Sequence, residues 1–192
     1  MICMAHPNEE APAYLRRDGH IAIITMNRPH VMNAVNADMS IAMQEVIDEF
    51  VADPELRVGI VTGAGKAFSA GADLKEVAAK RSLIGPDQKE RGFGGIMKRL
   101  IEKPLIAAVN GYALGGGTEF VLACDLAVMS ETATLGLPEV RHGIIAAGGG
   151  LLRLPKRVPL ALAMEWTLTG APISAADALN WGLVNRVRSE ER

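Results

Sequence analysis

The sequence predicts a single α/β domain across its 192 residues, and three observations carry that expectation. β-Branched runs alternate with segments of helical period. A strand, a glycine-rich turn and a helix follow one another twice. Hydrophobic residues make up 49% of the chain against 22% charged, enough apolar surface to fold around a sizeable core rather than stay disordered. Aromatics are only 4%, with 20 Gly and 10 Pro, so the core is expected to be small and aliphatic, with close backbone approaches at the turns.

The elements follow in order. Two short strands are expected around Asp18-Gly19, the second running from His20 to Met26 with Ile21, Ile23 and Thr25 alternating against their neighbours, and Asn27-Arg28-Pro29 stops it. Asn36 is placed to cap a helix reaching about Val51, because Met39, Met43, Val46, Ile47 and Phe50 recur at steps of three and four. Val58 to Thr62 reads as a strand closed by Gly63-Ala64-Gly65, followed by a loop to Gly71 and a helix starting near Asp73. Leu83 to Arg91 is polar with Gly85-Pro86 and is the expected mobile excursion, after which a helix to Lys103 is predicted. The strand Leu105 to Val109, the turn Asn110-Gly111 and the triplet Gly115-Gly116-Gly117 opening a helix come next. A strand around Leu126 to Met129, a turn through Gly136-Leu137-Pro138 and a second triplet at Gly148 to Gly150 follow. Ser174 with Asp177 forms a capping box for a short helix that Gly182 ends, and Leu183 to Val187 is the expected last strand. The core domain is therefore placed at 13–187, with an N-terminal tail at 1–12 and a short end at 188–192.

Charge and composition exclude several classes. Twenty Lys and Arg against 22 Asp and Glu leave a net charge of −2, without the basic excess that holds nucleic acid. Apolar stretches such as Phe120 to Met129 are broken by Asp125 or fall short of the roughly 20 residues that cross a bilayer, so no membrane partner is expected. Met1 to Glu10 lacks the apolar core of a signal peptide, and a cytoplasmic protein is the expectation. Cys3 and Cys124 are too few for a disulfide framework, and Cys124 reads as a buried thiol.

Among motifs, Gly63-Ala64-Gly65-Lys66-Ala67 fails as a phosphate loop because position 60 is Ile and position 67 is Ala. The first triplet lacks the spacing of a dinucleotide fold. Ala67-Phe68-Ser69-Ala70-Gly71 nearly matches a nucleophile elbow, leaving a serine hydrolase centred on Ser69 as a minor alternative to a small turn residue, with His142 as the one downstream histidine. His6, His20, His30 and His142 are scattered, and Glu139 with His142 is a lone Glu-x-x-His, so no metal site is expected. What remains is a pair of glycine-rich turns, each delivering main-chain N–H groups at or near a helix N-terminus, together with two carboxylates, Glu119 and Glu139, that can meet only through the fold.

Two segments carry a specific resemblance: Lys66-Ala67-Phe68-Ser69-Ala70-Gly71-Ala72-Asp73-Leu74-Lys75 and Asn110-Gly111-Tyr112-Ala113-Leu114-Gly115-Gly116-Gly117-Thr118-Glu119. They resemble the enoyl-CoA hydratase/isomerase (crotonase) family. Asn27-Arg28-Pro29, Leu137-Pro138-Glu139, Gly148-Gly149 and Leu168-Thr169-Gly170 extend the likeness from about Gly19 to Val187. The resemblance implies a ClpP/crotonase-like spiral of ββα units with two sheets, and an acyl-CoA thioester as substrate, with no cofactor because coenzyme A is part of that substrate. It places an oxyanion hole at the N–H groups of Ala72 and Gly116. Ala70, Ala72, Asp73, Leu74, Lys75 and Gly116 are implied as substrate (CoA)-binding residues.

Glu119 and Glu139 match the two catalytic carboxylates of the hydratases, Glu119 activating water and Glu139 transferring a proton at Cα. Isomerases usually keep only the second. The implied activity is enoyl-CoA hydration or the reverse dehydration, with a carnitinyl-CoA dehydratase-like or isomerase activity as alternatives and a non-catalytic acyl-CoA-binding member as the alternative of another class. Leu137 and Ala146-Ala147 stand where mitochondrial-type hydratases have Gln and Pro-Gly, and Arg153-Leu154-Pro155 resembles the branch that includes carnitinyl-CoA dehydratase. After Val187 the sequence runs Arg188-Ser189-Glu190-Glu191-Arg192 without the family's C-terminal helical segment. A homo-oligomer, a trimer or dimer of trimers, is expected if that segment were present, and abnormal association or lower stability without it.

Overall fold

A computed structural model describes residues 10–86 and 89–189. Most of the expected N-terminal tail, with Cys3 and His6, and the last three residues of the expected short end lie outside the described residues, as do two positions of the Leu83 to Arg91 loop.

The chain opens with a hairpin. Strand β1 (Ala13–Asp18) pairs antiparallel with β2 (Ile21–Met26), Ala13 opposite Met26, around Gly19 at φ 56°. His20 belongs to that turn rather than to the strand. Helix α1 (Ala37–Ala52) begins where the Asn36 side chain accepts the Met39 N–H at 3.0 Å, and buries Met39, Met43, Val46, Ile47 and Phe50, the stripe its spacing predicted. Its C-terminal carbonyls are met by Lys103 Nζ, which donates to Phe50 O at 2.8 Å and stands 5.2 Å over the Phe50 ring.

From here each pass lays one strand in a large sheet, one in a small sheet, and then a helix. Strand β3 (Val58–Gly63) leads to β4 (Ala67–Ser69) and α2 (Leu74–Ala78). Strand β5 (Leu105–Val109) leads to β6 (Tyr112–Leu114) and α3 (Gly116–Ala123). Strand β7 (Leu126–Ser130) leads to β8 (Thr134–Gly136), a 3-10 turn at Pro138–His142, and the short α4 (Gly150–Arg153). Helix α5 (Leu160–Thr169), β9 (Ile173–Ser174), α6 (Ala175–Asn180) and β10 (Arg186–Arg188) complete the described chain.

The large sheet has the order β1-β2-β3-β5-β7-β10 and is parallel beyond its first hairpin; the small sheet has the order β4-β6-β8-β9. This is the two-sheet spiral of ββα units that the resemblance implied. Side chains from both sheets and from α1 and α3 share one core, with Ile24, Val61, Phe68, Phe120, Met129 and Leu135 inside it.

Several expectations are corrected. The helix to Lys103 does not form: Gly92, Gly94 and Gly95 take φ of 76°, 60° and 73°, and only a 3-10 turn at Phe93–Gly95 remains. Strand β4 was expected as loop, and β6 and most of β8 were left unassigned; at three residues each they carry no period to detect. Helix α5 was not foreseen, and the last strand lies at Arg186–Arg188, because Leu183 and Val184 are buried in the turn after α6. Among the described residues, no helix is long and apolar enough to cross a membrane, and no group of three or more His, Cys, Asp or Glu is placed to hold a metal ion.

Candidate active site

The site begins at the β3–β4 connection, where two asparagines hold the glycine-rich chain. Asn33 Nδ2, fully buried, donates to the carbonyls of Ala64 and Ala67 at 2.9 and 2.8 Å, and Asn110 Nδ2 donates to those of Gly63 and Gly65, both at 2.9 Å. Neither was singled out from the sequence; asparagines between a strand and a turn signal local backbone bonding and nothing more specific.

Beyond β4 the chain runs beside Val35. Val35 N–H donates to Gly71 O at 2.7 Å and Asp73 N–H donates to Val35 O at 3.0 Å. Extended chain alternates its edges, so the N–H of Ala72 faces away from Val35. Arg28 locks the same segment from outside: Nη1 donates to Ala34 O at 2.6 Å and to the Asp73 carboxylate at 3.2 Å.

The second turn lies against the first. At Gly71, with φ 81°, an added Cβ would stand 2.5 Å from Leu114 O and 2.7 Å from Gly116 N, so only glycine lets the two segments approach this closely. Gly116 opens α3, its N–H among those a helix leaves without an internal acceptor. Among the described residues, neither Ala72 N–H nor Gly116 N–H donates to a protein acceptor. Both residues line one cavity of about 530 Å³, whose wall is mostly apolar: Met32, Phe93, Met97, Leu114, Ile144 and Ile145.

Glu119 and Glu139 also line this cavity, from α3 and from the 3-10 turn after β8, and both are buried. Glu119 Oε1 accepts the Gly150 N–H at 2.8 Å. Burial pushes its carboxyl above the ordinary range, opposed by the N–H groups of Gly150, Gly148 and Gly149 and by the charge of Arg153. Glu139 is supported differently. Its Oε2 is buried without a hydrogen-bond partner among the described residues, and its carboxyl is pushed up by burial and further by the charge of Glu119, against one main-chain N–H. Two carboxyls facing one cavity are thus held differently: Glu119 is met by main-chain N–H groups of the glycine turn and by the charge of Arg153, whereas Glu139 keeps one oxygen unpartnered beside the charge of Glu119.

The remaining expected residues divide. Ala70, Ala72, Leu74 and Gly116 line the cavity. Asp73 and Lys75 do not: the Asp73 carboxylate caps α2 by accepting the Lys75 N–H at 3.2 Å while pairing with Arg28, and Lys75 is exposed. Ser69 is removed as a nucleophile, because its buried Oγ donates to Asn33 O at 2.8 Å and accepts the Gly71 N–H at 3.1 Å, outside the cavity. Cys124 is buried, its thiol pushed up to about 12 by desolvation. Unforeseen contributors are Val35, Arg28, Phe93 and the glycine triplet at 148–150; the triplet was visible in the sequence, but its service to Glu119 was not.

With this geometry, the comparisons with known proteins are decisive. The enoyl-CoA hydratase/isomerase family model matches residues 16–192. The chain belongs to that family. Carnitinyl-CoA dehydratase of Salmonella paratyphi A is 49% identical over 179 residues, covering 92% of this chain and 68% of that protein. The structure of a carnitinyl-CoA dehydratase from Mycobacterium avium 104 superposes with a TM-score of 0.92 at 50% identity, covering 94% of this chain and 71% of that one. An enoyl-CoA hydratase from Mycobacterium tuberculosis H37Rv superposes at 0.87 with 45% identity, covering 94% and 70%. Family and two-sheet fold thus agree, and within that fold Glu119 and Glu139 line one cavity.

Proposed function

We propose that this protein is a hydro-lyase that adds water across the α,β double bond of an acyl-CoA thioester, or removes it. The observation that supports the reading is one apolar cavity lined by two buried carboxyls and by Ala72 and Gly116, whose main-chain N–H groups meet no protein acceptor among the described residues.

Attack of water on Cβ moves electrons toward the thioester oxygen, and fixed N–H dipoles at Ala72 and Gly116 are most useful where that enolate charge develops. Glu119, with its cluster of N–H donors, takes the proton as water adds; Glu139, whose unpartnered oxygen and charged neighbour favour the protonated form, delivers a proton to Cα. Solvent then returns the proton from Glu119 to Glu139, and no cofactor is needed beyond the coenzyme A of the substrate. Ala70, Ala72 and Leu74 are assigned to the CoA end of the cavity, and Asp73 and Lys75 to keeping α2 in place beside it.

Dehydration of a carnitinyl thioester is the second reading, favoured by relatives of that name at 49–50% identity. A cytoplasmic location belongs to the same proposal, as does a trimer or dimer of trimers where the family's C-terminal helical segment is present; the exposed stripe Leu160, Met164 and Leu168 on α5 supports association. The test is loss of the enoyl-thioester absorbance when the protein is added to crotonyl-CoA, with carnitinyl-CoA as the competing substrate. Binding of acyl-CoA without turnover of either would replace the enzyme reading with the non-catalytic one.

A further inference from the structure

We propose that Arg153 is a positioning residue for Glu119, fixing its placement and its charge state and tying both to the cavity wall; this rests on the hydratase reading above. Arg153 closes α4 at the opposite end from the residues that meet Glu119. Its guanidinium turns back along the helix: Nη1 donates to Gly148 O at 3.0 Å and Nη2 to Met97 O at 2.7 Å. One planar fork thus joins the turn that holds Glu119 to the segment that supplies Met97 to the cavity.

The local chain is shaped to admit it. Gly149 sits at φ 115°, and any side chain there would collide with Arg153 Nη1. Gly148 and Gly150 are crowded on the carboxylate side: an added Cβ would lie 2.6 Å from Glu119 Oε2 at the first, and 3.1 Å from Oε1 at the second, where the carboxylate would have to give way. Three consecutive glycines therefore pack a carboxylate on one side and a guanidinium on the other. The order of contact is Met97, Arg153, the Gly148–Gly150 turn, Glu119.

The charged and titratable groups facing Glu119 are few. Arg153 comes from α4, Glu139 from the 3-10 turn after β8, and Lys98 and His142 line the same cavity. Burial opposes the anion of Glu119, while the main-chain N–H groups of 148–150 and Arg153 favour it; the charge of Glu119 in turn pushes the Glu139 carboxyl up. Removing the guanidinium frees the turn and withdraws the positive charge, so both the orientation of Glu119 and its readiness to ionise decline.

The test compares Arg153→Gln, Arg153→Lys and Gly149→Ala with the unaltered protein. Arg153→Gln is expected to lower kcat on crotonyl-CoA about tenfold or more with little change in KM, the size of effect of losing charge-assisted hydrogen bonds. Its acid limb in the kcat/KM profile moves to higher pH. Arg153→Lys keeps the charge but not the fork, so the limb returns toward its original place while kcat stays low. Gly149→Ala keeps the charge but displaces it, with the same direction as Arg153→Gln. A readout independent of turnover is the Glu119 carboxyl titration in 13C-glutamate-labelled protein, assigned with Glu119→Gln. An unshifted Glu119 titration in folded Arg153→Gln, or in Gly149→Ala should the first fail to fold, overturns the inference. An unaltered protein that binds but does not hydrate the thioester overturns the hydratase reading instead, and leaves the titration to decide the Arg153 link.

Discussion

Gly150 N–H donates to Glu119 Oε1 at 2.8 Å across 31 residues of sequence, so the second glycine triplet completes the environment of a carboxylate delivered by the first. Neither triplet makes the site alone. The chemistry depends on α3 and α4 being brought together by the spiral.

Replacing either glutamate tests this directly. Glu119→Gln and Glu139→Gln are each expected to lower kcat on crotonyl-CoA at least about 100-fold, the scale of losing a positioned proton-transfer group. The double variant should fall little below the worse single one, since both groups serve one transition state. Steady-state rates of the four proteins check it. Near-normal turnover in either single variant would remove the two-carboxylate scheme.

Glu139→Gln should also stabilise the fold near neutral pH. Glu139 titrates above its ordinary 4.5 when folded, so the folded state holds a proton that the unfolded state has released. That contribution is fully present below 4.5 and is lost as pH rises through the folded value. Glu139→Gln escapes the loss. Its thermal midpoint is expected to exceed the unaltered protein's at pH 7–8, by about 2–4 °C for each kcal/mol relieved, and the gap should close below pH 4.5. Paired melting curves from pH 4 to 8 measure it, and a gap independent of pH would contradict it.

Gly116→Pro removes one N–H donor. Proline suits the first position of α3, but its ring needs the space where an added Cβ would stand 2.6 Å from Phe93 Cε1. With circular dichroism as the folding control, turnover should fall by about 100-fold, the cost of one such donor. Acyl-CoA binding is expected to suffer less. A folded variant with an unchanged rate would exclude Gly116 as a donor.

Arg28→Met severs the tie between Ala34 O and the Asp73 carboxylate beside Ala72. Both partners are largely buried, and losing these charge-assisted bonds should cost about 2 kcal/mol of stability. Because the Ala72 N–H loses its brace, kcat should fall as well. Urea unfolding and initial rates separate the two effects; intact stability would show that the bridge is slack.

Legibility in the sequence followed the length of the signal. Helix α1 was readable because sixteen residues repeat an apolar step and Asn36 marks the start. Strands β3 and β5 were readable as β-branched or aliphatic runs closed by glycine or asparagine. The small sheet was not, for Ala67–Ser69, Tyr112–Leu114 and Thr134–Gly136 exist as strands only through one another. Helix α5 is apolar around most of its circumference and opens on Pro159 without a side-chain cap, so neither stripe nor cap announced it. The expected helix to Lys103 gave way to glycines: Gly94 lies against the Phe120 ring and Gly95 against the backbone of Gln44 on α1. Glu119 and Glu139 were visible as a pair of carboxylates, but nothing in their spacing placed them at one cavity; the roles proposed for them came from the family resemblance.

The donors proposed at Ala72 and Gly116 are main-chain atoms, possessed by every residue except proline. Most single-codon changes around them therefore leave these atoms in place, provided the glycines that permit the close approach of the two turns survive. The apolar side chains that line the cavity, such as Met32, Val77, Met97, Ile144 and Ile145, carry no such role in the proposed reaction. On the proposed function, a lineage built on this arrangement can exchange one acyl group for another by ordinary drift while the means of holding an enolate is inherited unaltered.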